Sequence, residues 1–186
     1  EETNFQSKIK QLINRSPDKF SKLNATLSKI EWSIARYLGI KTIVSLLTGI
    51  LSFIILKIVG VHYAVFWAFL IFLLNFIPTI GSLLATIFPA VFCLLQFGEF
   101  TQCLMVFFIV GSIQVFIGNF LEPKWMGNSM NISPLIAIIA LVFWGAIWGT
   151  TGMILSIPIT VILIIVCSQF QSTKPIAMLL SEKGKI

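Results

Sequence analysis

From residue 40 onward the chain reads as a succession of apolar runs, roughly 40–58, 62–78, 80–97, 102–121, 132–149 and 152–170. Each is about 17 to 20 residues long, close to the ~20 that a helix needs to cross a hydrocarbon core. The separators are short: "VGVH", "PTIG", "GEFT", "EPKWMGNSMN" and "GTTG". This pattern predicts an all-α, polytopic helical membrane protein whose transmembrane domain covers 40–170. Two neighbouring pairs, 62–97 and 132–170, also fit re-entrant hairpins that dip partway into the membrane, because hydropathy does not separate a full span from a hairpin leg.

Ahead of these runs, residues 1–39 follow a different rhythm. From Phe20 the apolar residues recur at Leu23, Leu27, Ile30, Ile34 and Leu38, with Lys22, Lys29 and Arg36 elsewhere on the surface. Steps of three and four predict an amphipathic helical arm. Ser16 is placed to cap it and Pro17 to occupy its first turn, where a missing N–H costs nothing. Such a stripe suits a helix lying on the bilayer or packing on its own protein. It also suits a coiled-coil-like contact between copies, although fewer than three heptads are present.

Composition and charge narrow the class. The chain is 57% hydrophobic and 11% charged, whereas soluble domains run near half apolar and about a quarter charged, so a soluble domain is excluded. Residues 1–41 hold eight Lys or Arg against four acids, and residues 174–186 hold three against one. The intervening stretch carries only two Lys and two Glu. Lys and Arg near membrane ends are retained in the cytoplasm, so the arm and the basic tail, 171–186, are both expected there, with an even number of crossings between them. The first residue is Glu rather than Met and no signal peptide is apparent, so a fragment of a longer protein is expected.

Little catalytic chemistry is visible. Cys93, Cys103 and Cys167 sit singly in apolar runs and read as buried thiols, and His62 is the only histidine. Without a Ser/His/Asp set, a metal-ligand cluster or a phosphate-binding glycine loop, an enzyme is not expected, nor is a metal or a cofactor. The spacing of the basic residues in the arm suits anionic lipid rather than nucleic acid.

Polar and small residues inside the apolar runs carry more information, because lipid cannot satisfy them. Ser45, Thr48, Gly49 and Ser52 share one face of the first run, a surface suited to close helix packing. In the fourth, Gly111, Gln114, Gly118 and Glu122 step by three and four along one stripe. An intramembrane carboxylate needs a partner or a hydrated cavity, which makes Glu122 a functional candidate. It could equally sit at the interface paired with Lys124.

Two interruptions stand out. In "NFIPTIG" Pro78 removes a backbone donor, and the carbonyl one turn earlier loses its partner while Asn75 offers an amide nearby. In "NISPLIAIIALVFWGAIWGTTGMILSIP" Asn131 and Pro134 open a run that then presents Gly145, Gly149 and Gly152 before Pro158. Unpaired backbone at membrane depth survives only where protein or an aqueous cavity covers it. Two Asn-x-x-Pro interruptions therefore point either to a solute site built from broken helices or to two structural kinks.

The stretch from "YLGIKTIVSLL" to "GSLLATIFPA", together with "GNFLEPKWMGNSMNISPLIAIIALVFWGAIWGTTGMILSIP", resembles the autoinducer-2 exporter family of bacterial permeases over about residues 36–170. The specific motifs are N-F-I-P-x-I-G, L-E-P-x-x-x-G and a downstream W-G-x-x-x-G. The resemblance implies an oligomeric, all-helical inner-membrane transporter of small solutes, and this chain looks like the carboxyl-terminal portion of one. Some members of that family export autoinducer-2 and others are linked to sodium–proton exchange. The motif residues carried over are Asn75, Pro78, Gly81, Glu122, Pro123, Gly127, Asn131, Pro134, Trp144, Gly145, Gly149, Gly152 and Pro158.

The expected mechanism is alternating access at a site where the two broken hairpins meet. Asn75, Gln114 and Asn119 would offer hydrogen bonds to a small polar or hydroxylated solute. Trp144 and Trp148 would serve as apolar walls or as interface anchors. Two other functions fit the same residues: a sodium–proton antiporter using Glu122, and a membrane scaffold without a transport cycle. The expected partners are the lipid bilayer, a small-molecule solute and further copies of the chain.

Overall fold

The computed structural model describes residues 17–127 and 132–182. Its longest element, α1 (Pro17–Val59), runs for 43 residues, about 65 Å at 1.5 Å per residue and thus twice the thickness of a hydrocarbon core. The arm, described from Pro17, and the first apolar run are therefore one continuous rod. Ser16, the expected cap, lies outside the described residues. Leu23, Leu27, Ile30, Ile34 and Leu38 are half-buried, and Ser33 and Tyr37 beside them are buried. Ile30 and Leu38 pack against a cluster of Tyr37, Met126, Ile157, Val161 and Ile165, so the amphipathic stripe is covered at least there by its own chain.

After a turn at Gly60–Tyr63 the chain folds back as α2 (Ala64–Leu74), 11 residues and too short to span. Residues 75–79 form an irregular tip, and α3 (Ile80–Phe97) returns beside α2. The legs are antiparallel: the Trp67 and Phe92 rings lie 5.0 Å apart, and at the base Gln96 Nε2 donates to Gly60 O while His62 N–H donates to Gln96 Oε1. Residues 62–97 are thus a hairpin and not two full spans. Its first leg packs on the small-residue face of α1. Ser45, Thr48 and Ser52 are fully buried there, and a Cβ at Gly49 would come within 3.1 Å of Ala68 O. The tip reaches the level of Ser45, roughly 21 Å back along α1 from its end.

At Glu99 the chain enters α4 (Phe100–Phe116), which packs along α3 and contacts α1. It continues through a π-helical segment (Ile117–Leu121) into the short α5 (Glu122–Met126). Then α6 (Pro134–Ser168) runs to Gly149, whose backbone at φ 63°, ψ −142° reverses the chain, so the element is two helices meeting at a corner. The short α7 (Lys174–Leu180) closes onto α6, with Ser133 N–H donating to Leu180 O at 3.3 Å.

Both reversals have one construction. Leu74 O sits against the Cα of Gly81, and Trp144 O sits against the Cα of Gly152; a Cβ on either glycine would overlap that oxygen. The two Asn-x-x-Pro motifs, by contrast, are not equivalent. Asn75 and Pro78 stand at the first tip, but Pro134 is the first helical residue of α6, where a missing N–H costs nothing and no helix is broken. Asn131 lies outside the described residues. The second interruption falls at Gly149 instead.

Candidate functional site

One face of α1 organises the interior. Ser33, Tyr37, Lys41, Ser45, Thr48 and Ser52 recur every three or four residues and all are buried. Two elements answer this stripe with polar side chains. Asn75, at the first hairpin tip, donates from Nδ2 to Ser45 Oγ at 3.1 Å. Glu122, at the start of α5, accepts from Lys41 Nζ at 2.6 Å, with the two side chains only 6% and 16% exposed. Removing the carboxamide in Asn75→Ala is expected to lower stability by only about 0.6 kcal/mol, the mean for hydrogen bonds between membrane helices, measurable by unfolding in mixed micelles.

Between these contacts lies a cavity of about 1120 Å³. Asn75, Pro78 and Thr79 of the first tip form one side, and Gln114 and Asn119 another. Tyr37, Lys41 and Glu122 form a third, and Ile132, Ala137 and Ile157 reach it from the second hairpin. Most of its hydroxyls are already engaged locally: Ser82 donates to Thr79 O, Thr86 to Ser82 O and Ser112 to Phe108 O. Gln114 differs. It is 7% exposed and its Nε2 has no hydrogen-bond partner. A buried donor left unsatisfied costs roughly 1–3 kcal/mol, so it is an invitation to a polar guest. The π segment between Gln114 and Glu122 adds to this, since such wide turns inside helices are frequent at functional sites.

The structure brings Asn75, Pro78, Gln114, Asn119 and Glu122 together on this cavity. Gly81 does not line it but closes the tip behind Ile80 and Ser82. Pro134 stands at the entry to α6, and Gly145, Gly149 and Gly152 shape the second reversal, with Gly145 against Met153. Trp144 packs on Trp148, ring centroids 5.4 Å apart. None of these second-hairpin residues lines the cavity; that hairpin meets it through its legs, and its Gly149 reversal does not border it. Glu122 is paired with Lys41 and not with Lys124, because the end of α4 and the π segment carry it against α1. Lys41 is the charged cavity residue that sequence reasoning missed. The available signal was the stripe itself, since Lys41 lies one turn before Ser45 on the same face.

A family model described as AI-2E family transporter matches residues 2–171. The chain belongs to the AI-2E transporter family. A Borreliella burgdorferi relative of this family is 43% identical over 155 residues, covering 83% of this chain and 43% of the relative. A second, from Haemophilus influenzae, is 39% identical over 175 residues, covering 94% and 50%. Both are named as candidate transport proteins with no cargo stated. The AI-2 transport protein TqsA of Escherichia coli K12 is 39% identical over 153 residues, covering 82% of this chain and 44% of that protein. The chain spans about half the length of the curated relatives it matches. Three helical stretches, Leu23–Val59, Ile80–Phe97 and Phe100–Met126, are long and apolar enough to cross a membrane, and Pro134–Ser168 is equally apolar but folds back at Gly149. Membership of the AI-2E family and these stretches support a multi-pass protein of the bacterial inner membrane.

Proposed function

We propose that the protein moves a small polar or hydroxylated solute across the membrane by alternating access, with the cavity beneath the first hairpin tip as its solute site. The observation that carries this reading is the buried, unpartnered Gln114 Nε2 on a cavity bordered by an irregular helical break. Irregular backbone at depth that lines a cavity is the construction by which transporters present polar groups to cargo. Autoinducer-2 is the first solute to test, because the relative TqsA bears that name. In this reading both basic flanks face the cytoplasm and the protein works as a homo-oligomer in the bilayer.

The test separates function from folding. Gln114→Leu removes a buried amide that has no protein partner, so stability is expected to hold or rise. Solute flux in proteoliposomes of the intact protein is expected to fall at least tenfold, equivalent to about 1.4 kcal/mol of lost recognition. Undiminished flux in the variant would remove Gln114 from the solute site. Absence of any solute-dependent flux in the wild type would favour a scaffold instead.

Sodium–proton exchange through Glu122 is a second reading, favoured by the presence of a carboxylate on the cavity wall. In the present conformation Lys41 already neutralises that carboxylate, so an exchange cycle would have to begin by separating the pair.

A further inference from the structure

We infer that Lys41 is the specificity-determining residue for charge in this cavity: by neutralising Glu122 from within, it occupies the place of a free monovalent cation and fits the chamber to uncharged solutes. The inference deepens the transport reading above, but its binding test does not depend on transport.

Among the described residues that line the cavity, only Lys41 and Glu122 carry charge. They come from elements far apart in sequence, α1 and α5, and meet at 2.6 Å with both side chains withdrawn from water. A carboxylate in such a place stays ionised at least cost when a cation is beside it, and here the cation is tethered to the backbone. The neighbouring groups cannot substitute for it. Asn75 is engaged with Ser45, and the Gln114 amide and Tyr37 phenol bring no positive charge. Lys41 therefore leaves the cavity with no net charge, and Gln114 brings to its wall a buried amide whose Nε2 has no partner. Without Lys41 the same walls would hold a lone carboxylate, for which a small monovalent cation from solution is the simplest replacement.

The intact protein, purified in detergent at mildly alkaline pH, is melted in sodium chloride and in equimolar choline chloride. The wild type is expected to melt at the same temperature in both. Lys41→Gln is expected to melt about 2–4 °C higher in sodium, because a cation that binds only the folded state stabilises it. The double variant Lys41→Gln/Glu122→Gln should lose that response. Should Lys41→Gln fail to fold, the reciprocal Glu122→Gln decides: it leaves the ammonium uncompensated and should be stabilised by chloride over gluconate. Indifference of the folded single variants to counter-ion identity overturns the inference, as does a sodium response in the wild type equal to that of Lys41→Gln. Solute flux lost in the wild type while these salt responses persist would count against the transport reading and leave the role of Lys41 standing.

Discussion

Alanine at Gly81 or at Gly152 is expected to destabilise the protein more than any other single-methyl addition to it. At Gly81 the new Cβ would overlap Leu74 O and lie 2.8 Å from the Leu74 carbonyl carbon and 3.1 Å from Ile77 Cβ. At Gly152 it would overlap Trp144 O and lie 2.6 Å from the carbonyl carbon of Trp144 and 3.0 Å from Trp148 Cβ. In both places the obstacle is backbone, which cannot rotate away as a side chain can, so the hairpin turn itself must open. Overpacking of this kind costs typically 1–3 kcal/mol and more where nothing yields, and we expect about 3 kcal/mol or more for each variant. Gly39 supplies the opposite sign. It is an exposed helical glycine with nothing within 4 Å of its would-be Cβ, so Gly39→Ala should stabilise by up to about 1 kcal/mol through helix propensity. Thermal melts of the three variants in one detergent test the contrast. Equal melting temperatures for Gly81→Ala and wild type would show that the turn at 75–79 has room for a methyl group.

The membrane class and the helical architecture were legible because they rest on local properties. Apolar runs of near-spanning length force helices, since only a helix satisfies every backbone group within its own segment. The stripe Ser45, Thr48, Gly49 and Ser52 read correctly as a close-packing face for the same reason: helical periodicity places those residues together wherever the helix goes. Element ends were less legible. The run 62–78 yields a helix only over Ala64–Leu74: the left-handed Tyr63 precedes it, and the chain turns through 75–79 after it, where Thr79 adopts φ 58° ahead of α3. Composition did not reveal either, because neither residue type announces a positive φ.

What escaped the sequence was mostly a matter of long-range pairing. Asn75 and Asn131 share a motif, yet Pro78 lies at a reversal and Pro134 at a helix start. A proline states what the backbone cannot do there and leaves open which of these uses it has. Likewise, Lys41 counts with the basic flank because it stands at the very start of the first long apolar run. A charge tally along one dimension assigns it to the membrane surface, while the fold turns it toward a carboxylate 81 positions away. That correction removes one of the charges on which the cytoplasmic placement of the arm was argued.

The same pair yields the second large effect. Lys41→Met alone, or Glu122→Leu alone, strands a charge that is largely withdrawn from water, and removal of one partner from a buried ion pair typically costs about 3–5 kcal/mol. The double variant Lys41→Met/Glu122→Leu has no charge left to strand and fills the space with apolar volume. It is expected to recover most of that loss, since hydrophobic replacements of buried pairs are often neutral or stabilising. The difference between the double variant and the sum of the singles, read from reversible unfolding in mixed micelles, should therefore be a coupling of about 3 kcal/mol or more. It should also persist in high salt, because ions in solution screen a buried pair poorly. A coupling near zero would mean that water reaches the pair freely in the folded protein. Glu122 would then be a solvated group at the membrane surface, and the cavity could no longer be treated as a chamber whose charge Lys41 sets.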